Sequence, residues 1–187
     1  MRSFIAIELP DGVKSALAEL RQELKKCKAD IRWVKPDNIH LTLKFLGDTD
    51  EKIIGSIAEA VKTACIGYKK FTLEIKGVGV FPDIRAPRVL WAGISDNDSL
   101  TGLQKSIEDG LVKLGYAVER RRFRPHLTLG RFKSSSGKED LYDKIEEHKN
   151  ISLGFMEVKS IFLIKSDLAP SGAEYTKIAG IELKIKK

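Results

Sequence analysis

The chain holds three histidines, and two of them open the same tetrapeptide: His40-Leu41-Thr42-Leu43 and His126-Leu127-Thr128-Leu129. With seven threonines in 187 residues, chance puts a threonine two places after two of three histidines with a probability of about 0.004. One His-x-Thr is a weak motif, most often a half-buried strand pair; two identical copies are a strong one. Side chains alternate along a strand, so each tetrapeptide sets an imidazole and a hydroxyl on one face and two leucines on the other. Two such strands facing each other give a cleft with two imidazoles and two hydroxyls, a set that suits a phosphodiester. An imidazole with a pKa of about 6.5 can be neutral or charged near neutral pH. One can therefore take a proton from attacking water or hydroxyl while the other protonates the leaving oxygen. In-line displacement at phosphorus wants acid and base on opposite sides of the atom, which opposed strands supply. Thr42 and Thr128, with Arg131 expected on the face of Thr128, are candidates to hold the non-bridging oxygens. This chemistry asks for no metal or cofactor, and a catalytic zinc would want three protein ligands.

The elements that must position these residues follow from periodicity. Residues 2–8 read as a buried strand stopped by Pro10. Asp11 is expected to cap a helix to about Lys26, with Val13, Leu17, Leu20 and Leu24 at helical spacing. Short strands at 31–34 and 39–46 flank a turn at 35–37, and a helix follows over about 50–66. A strand at 71–81 carries Gly77 and Gly79, expected as a bulge or bend and, with no helix after them, not a nucleotide cradle. The order then repeats: strand 88–94, helix 98–114, strand 123–132, helix 138–149, strand 151–165 and, after a 170–172 turn, strand 174–185. Shifting the chain by 86 residues lays one tetrapeptide on the other. The expected fold class is α+β and bilobal: two pseudo-symmetric lobes of mainly antiparallel sheet, helices outside, a cleft between. Lobe one is expected over about 1–81 and lobe two over about 88–187, with strand exchange allowed and 82–87 as the crossover. Trp33, Phe45 and Trp91 fall at strand positions and read first as core, with Phe45 the best placed to stack a base. His148, in the charged stretch IEEHKN, is expected in solvent.

Composition narrows the partner. The net charge is +7, and most of it alternates in sign as solvated helix faces do. One stretch does not: residues 119–133, ERRRFRPHLTLGRFK, carry five arginines, whose planar forks match phosphate oxygens. No apolar run approaches the roughly 18 residues of a membrane span, and the first residues lack a secretory pattern. Two cysteines fit a reducing cytoplasm better than a disulfide framework. Three Asn and two Gln amid abundant Lys, Glu and Ile follow the thermophile pattern.

The paired HLTL tetrads, the opening RSFIAIELP, the segment KPDNIHLTLKFLGD and the stretch RPHLTLGR together resemble the 2H phosphoesterase superfamily. Within it they are most similar to the RNA 2′,3′-cyclic phosphodiesterases, also called 2′-5′ RNA ligases. The resemblance implies the bilobal fold and hydrolysis of a 2′,3′-cyclic phosphate at an RNA 3′ end, such as a tRNA fragment, to a 2′-phosphate. Weak reverse 2′-5′ ligation and a monomer without membrane partners accompany that reading. It also implies His40 as the general acid, His126 as the base, and Thr42 and Thr128 on the phosphate. The residues by themselves do not say which imidazole is which. They leave two alternatives: a phosphodiesterase for small nucleotides, such as cyclic ADP-ribose phosphate or 2′-5′ oligoadenylate, and a non-catalytic RNA- or nucleotide-binding module.

Overall fold

Nine strands and four helices carry the chain in the computed structural model, which describes residues 1–170 and 172–184. The strands are β1 (Arg2–Glu8), β2 (Ile31–Trp33), β3 (His40–Asp48), β4 (Phe71–Phe81), β5 (Val89–Ile94), β6 (His126–Phe132), β7 (Ser152–Val158), β8 (Ser160–Ala169) and β9 (Gly172–Glu182). The helices are α1 (Asp11–Leu24), α2 (Ile54–Ala64), α3 (Asp98–Val112) and α4 (Lys138–His148). Ser171 of the expected turn and Ile185 of the expected last strand lie outside the described residues.

The sheet runs β7-β4-β5-β6-β3-β1-β8-β9, with β2 on the outer stretch of β6, and its strand pairs are antiparallel. It is strongly curled. At its centre β3 and β6 meet through a single pair, Leu41 opposite Leu127. Around that point the order is symmetric, β9-β8-β1-β3 on one side and β6-β5-β4-β7 on the other.

These halves are not contiguous stretches of chain. β4 pairs with β5 and β7, so residues 82–87 form a hairpin loop inside one half and not a crossover between halves. The chain instead crosses between β3 and β4, through α2, and returns at Lys159. The single strand expected over 151–165 is two, β7 against β4 and β8 against β1. The burial phase slips by one residue between them, from buried Val158 to buried Ile161, a slip that periodicity alone reads as a bulge within one strand. The helices cross as well. α1 packs on β7 and α4 on β4, while α3 packs on β3 and α2 on β9. Each helix does so by an apolar stripe, such as Val13, Leu17, Leu20 and Leu24 of α1, burial worth about 2 kcal/mol per large side chain.

Local departures from expectation have simple causes. Asp11 is the first residue of α1 and not its cap, a place taken by Pro10, so its carboxylate acts on the helix dipole. α2 begins after a short 3₁₀ turn at Glu51–Ile53, capped by the Asp50 carboxylate accepting from Lys52 N at 3.0 Å. Residues 123–125 lie outside β6, as expected where Pro125 supplies no ladder N–H. Gly77 sits at φ +80° beside a register shift in β4, the bulge its glycines imply. Cys27 and Cys65 are free thiols, and burial pushes the Cys65 thiol up to about 11.

Candidate active site

Leu41 and Leu127 are fully buried, which puts the imidazoles and hydroxyls of both tetrapeptides on the opposite, concave face. His40, Thr42, His126 and Thr128 are each partly exposed there. The strands that carry them are neighbours in one sheet and not walls facing each other across a gap, a correction to the expected geometry. Antiparallel extension from the Leu41–Leu127 pair by one step sets His40 toward Thr128 and Thr42 toward His126. Each imidazole is thereby matched with the other half's hydroxyl.

The two histidines are held alike. His40 Nδ1 lies 2.8 Å from the carbonyl of Asn38, and His126 Nδ1 lies 2.7 Å from that of Arg124. A carbonyl only accepts, so Nδ1–H donates in both rings and Nε2 is left as the nitrogen for a ligand. Burial lowers the pKa of both rings below the ordinary imidazole value. The backbone carbonyls oppose that in both. The remaining influences differ: the Glu8 carboxylate raises His40, whereas the Arg131 guanidinium lowers His126 further.

Arg131 reaches this face through a device that alternation does not contain. Strict period-two spacing would put it with Leu127 and Leu129. In the ladder, Leu90 pairs with Gly130 and Trp91 with Thr128, which leaves Leu129 as an extra residue, a β-bulge. Beyond the bulge the phase is reversed, and exposed Arg131 acts electrostatically on both His126 and Tyr175. β3 has the same device. Ile5 pairs with Lys44 and Ala6 with Thr42, so Leu43 is the extra residue. The register position equivalent to Arg131 is Phe45, and Phe45 is 68% exposed. The core reading of that ring is overturned; it stands on the concave face at 6.2 Å from Phe4.

Three residues near the tetrads carried no recognisable sequence signal. Phe4 stacks on His40 with centroids 4.6 Å apart, Tyr175 meets His40 edge-on at 5.3 Å, and Phe81 meets His126 edge-on at 4.9 Å. Tyr175 arrives from β9, whose start is tied to the tetrapeptide's approach by Asn38 Nδ2 donating to the Ala173 carbonyl at 2.8 Å. A chemically plain residue brought in by long-range strand pairing leaves no local pattern to read.

His148 does not join the site. It is buried and not solvated, because α4 turns that face toward α1: Nδ1–H donates to Lys144 O at 2.7 Å and Nε2 lies 3.3 Å from Glu23 Oε2. Glu23, Glu147 and His148 are close enough to hold a cation, but Lys144 Nζ already sits 2.6 Å from Glu147. Trp33 and Trp91 are half-buried; Trp91 packs against Phe81 on the concave side, centroids 5.1 Å apart.

Comparison with known proteins agrees with this geometry. The family described as LigT like phosphoesterase matches residues 7–91 and 93–175, one tetrapeptide in each stretch. The chain is similar to a protein of Methanothermobacter thermautotrophicus named RNA 2′,3′-cyclic phosphodiesterase, 36% identical over 94% of this chain and 95% of that one. A protein of the same name from Methanocaldococcus jannaschii is 35% identical over 95% of this chain and 98% of its own. Among solved structures, a Thermus thermophilus protein superimposes with a TM-score of 0.84 at 25% identity over the whole of both chains. E. coli LigT complexed with 3′-AMP superimposes at 0.78 with 26% identity over 97% of each.

Proposed function

We propose the function from the premise that this chain belongs to the LigT like phosphoesterase family. It is an enzyme, an RNA 2′,3′-cyclic phosphodiesterase. In our reading it opens the cyclic phosphate at an RNA 3′ end to leave a 2′-phosphate and a free 3′-hydroxyl. His126 Nε2 takes a proton from water as the water oxygen bonds to phosphorus; the P–O3′ bond breaks, and His40 gives its Nε2 proton to O3′. Thr42, Thr128 and Arg131 hold the non-bridging oxygens as charge builds on them.

The single observation that carries this is the mirrored pair of imidazoles, each with Nδ1–H committed to the carbonyl two residues before it. A pure binding module gains nothing from two rings so poised, each with a free proton-carrying nitrogen on one face. The unequal electrostatics support the assignment of roles. Glu8 favours a proton on His40, as an acid needs, and Arg131 disfavours one on His126, as a base needs. A bound phosphate anion adds to the first effect. Both proton transfers come from side chains, so the reading asks for no metal, and the same opening by an RNA 5′-hydroxyl in place of water gives a 2′-5′ linkage with a free 3′-hydroxyl.

The test is hydrolysis of an RNA oligomer ending in a 2′,3′-cyclic phosphate, in EDTA, with the position of the product phosphate assigned. A 2′-phosphate formed by the wild type and lost in His40→Ala and His126→Ala is the expected result. A 3′-phosphate product would reverse the two roles, and full turnover in either variant would remove that ring from the chemistry.

A further inference from the structure

We propose that the concave floor of the half built on β4, β5 and β6 binds the phosphate and sugar 5′ to the reacting cyclic phosphate. The preferred substrate is then an oligoribonucleotide with a cyclic end and not a nucleoside cyclic phosphate. This rests on the reading of the tetrapeptides just given.

A cavity of about 530 Å³ opens beside His126 and extends across β5 and β4 to the end of α4. That is far more room than one phosphate group fills, and enough for a nucleotide. Glycines line its floor where backbone segments approach too closely for a side chain. A Cβ on Gly93 would lie 2.5 Å from the Lys76 carbonyl, and Gly77 adopts a left-handed φ against the Lys149 carbonyl. Four cations line the cavity: Lys76 from β4, Arg122 and Arg124 from the loop before β6, and Lys149 after α4. One carboxylate, Asp96, faces them. Lys149 is paired with Glu146 at 3.0 Å. Among the described residues, Lys76, Arg122 and Arg124 have no acid within ion-pair distance. Unpaired cations converging from two separate segments, β4 and the loop before β6, repel one another unless an anion lies among them. The Trp91 indole N–H, on the same wall, is buried without a protein partner.

Direction follows from what the other half offers. Its equivalent floor is filled by Phe4, Phe162 and Ile164, and the charge beside its histidine is the Glu8 carboxylate. Lys177 Nζ stands 4.6 Å over the Phe162 ring there but is paired with Glu8 at 2.7 Å, so among the described residues the open space and the cations without an acid partner lie on the His126 side.

The experiment compares binding of two reaction products, a trinucleotide ending in a 2′-phosphate and a mononucleoside 2′-phosphate. Titrations are run across a salt series with the wild type and with the double variant Lys76→Ala/Arg122→Ala, both changes at exposed positions. The wild type is expected to favour the trinucleotide at least tenfold. The variant should lose most of that preference and show a log–log salt slope shallower by about 1.4, the share of two released counterions on a single strand. The same preference and slope in both proteins would overturn the proposal. A wild type that keeps the preference but turns over no cyclic phosphate would sink the catalytic reading and still support the subsite.

Discussion

The two halves of this sheet carry the same four residues on the same bulged strand and differ in nearly everything around them. At one register position the first half shows Phe45 and the second Arg131. Next to these, Lys44 reaches back to Glu108 of α3 in one half, while in the other Gly130 admits β2, where a Cβ would strike Ile31. One concave floor is packed with aromatic rings and the other is open and cationic. The lesson is that a symmetric constellation can be made to do asymmetric chemistry by its surroundings. In the proposed mechanism, identical imidazoles become an acid and a base through the carboxylate beside one and the guanidinium beside the other.

The comparison can be broken most forcefully at the imidazoles. His40→Ala and His126→Ala should each cut turnover of a cyclic-ended oligonucleotide by about 10²–10⁴-fold. A substrate with a p-nitrophenolate leaving group, which needs no acid, should restore much of the rate to His40→Ala and little to His126→Ala. Equal rescue of both would erase the distinction between the halves. Thr42→Ala and Thr128→Ala should cost about 10²-fold each in kcat, the scale of one lost transition-state donor. A wild-type rate in either would take that hydroxyl off the phosphate.

The pH profile sharpens the contrast. Burial lowers both rings, so the kcat/KM optimum of the free enzyme should lie below about pH 6.5. Glu8→Gln removes what raises His40, and the alkaline limb should move to lower pH. Arg131→Gln removes what lowers His126, and the acid limb should move to higher pH. Each variant narrows the bell from its own side; movement of the same limb in both would defeat the assignment. Phe45→Ala should raise KM about tenfold with kcat little changed, the loss of one stacked base. Last, Glu108→Gln leaves Lys44 with a neutral partner in a nearly enclosed site. Urea unfolding should report a loss of about 3–5 kcal/mol, whereas a neutral result would mean that the Ala117 carbonyl, 2.7 Å from Lys44 Nζ, suffices for it.

Much of this was legible before the fold. The tetrapeptides, the helix faces and the repeated order of elements all lie in local spacing, and local spacing is what a sequence displays openly. Arg131 was expected on the face of Thr128, but the bulge at Leu129 that brings it there was not visible, since a bulge adds a residue without changing composition. Nor was the strand break at Lys159, because the one-residue slip in burial between Val158 and Ile161 looks, in sequence, like a bulge in a single strand. Tyr175 and Lys149 come to the concave face only through pairings and packing far along the chain. His148 misled for a related reason: its charged neighbours describe the outer side of α4, while its own side meets α1.

The exchange of strands and helices between the halves bears on how the protein is made. β1 precedes every other strand described here, but its partner β8, and β9 beyond it, are synthesised after all the rest. Until they emerge, β1 has an unpaired edge, and the aromatic wall beside His40 lacks Tyr175. The nascent chain can therefore shape the β4–β5 hairpin early, but the His40 half is completed only after β8 and β9 emerge. Such late, long-range closure is the stage at which exposed edges invite aggregation and chaperones act.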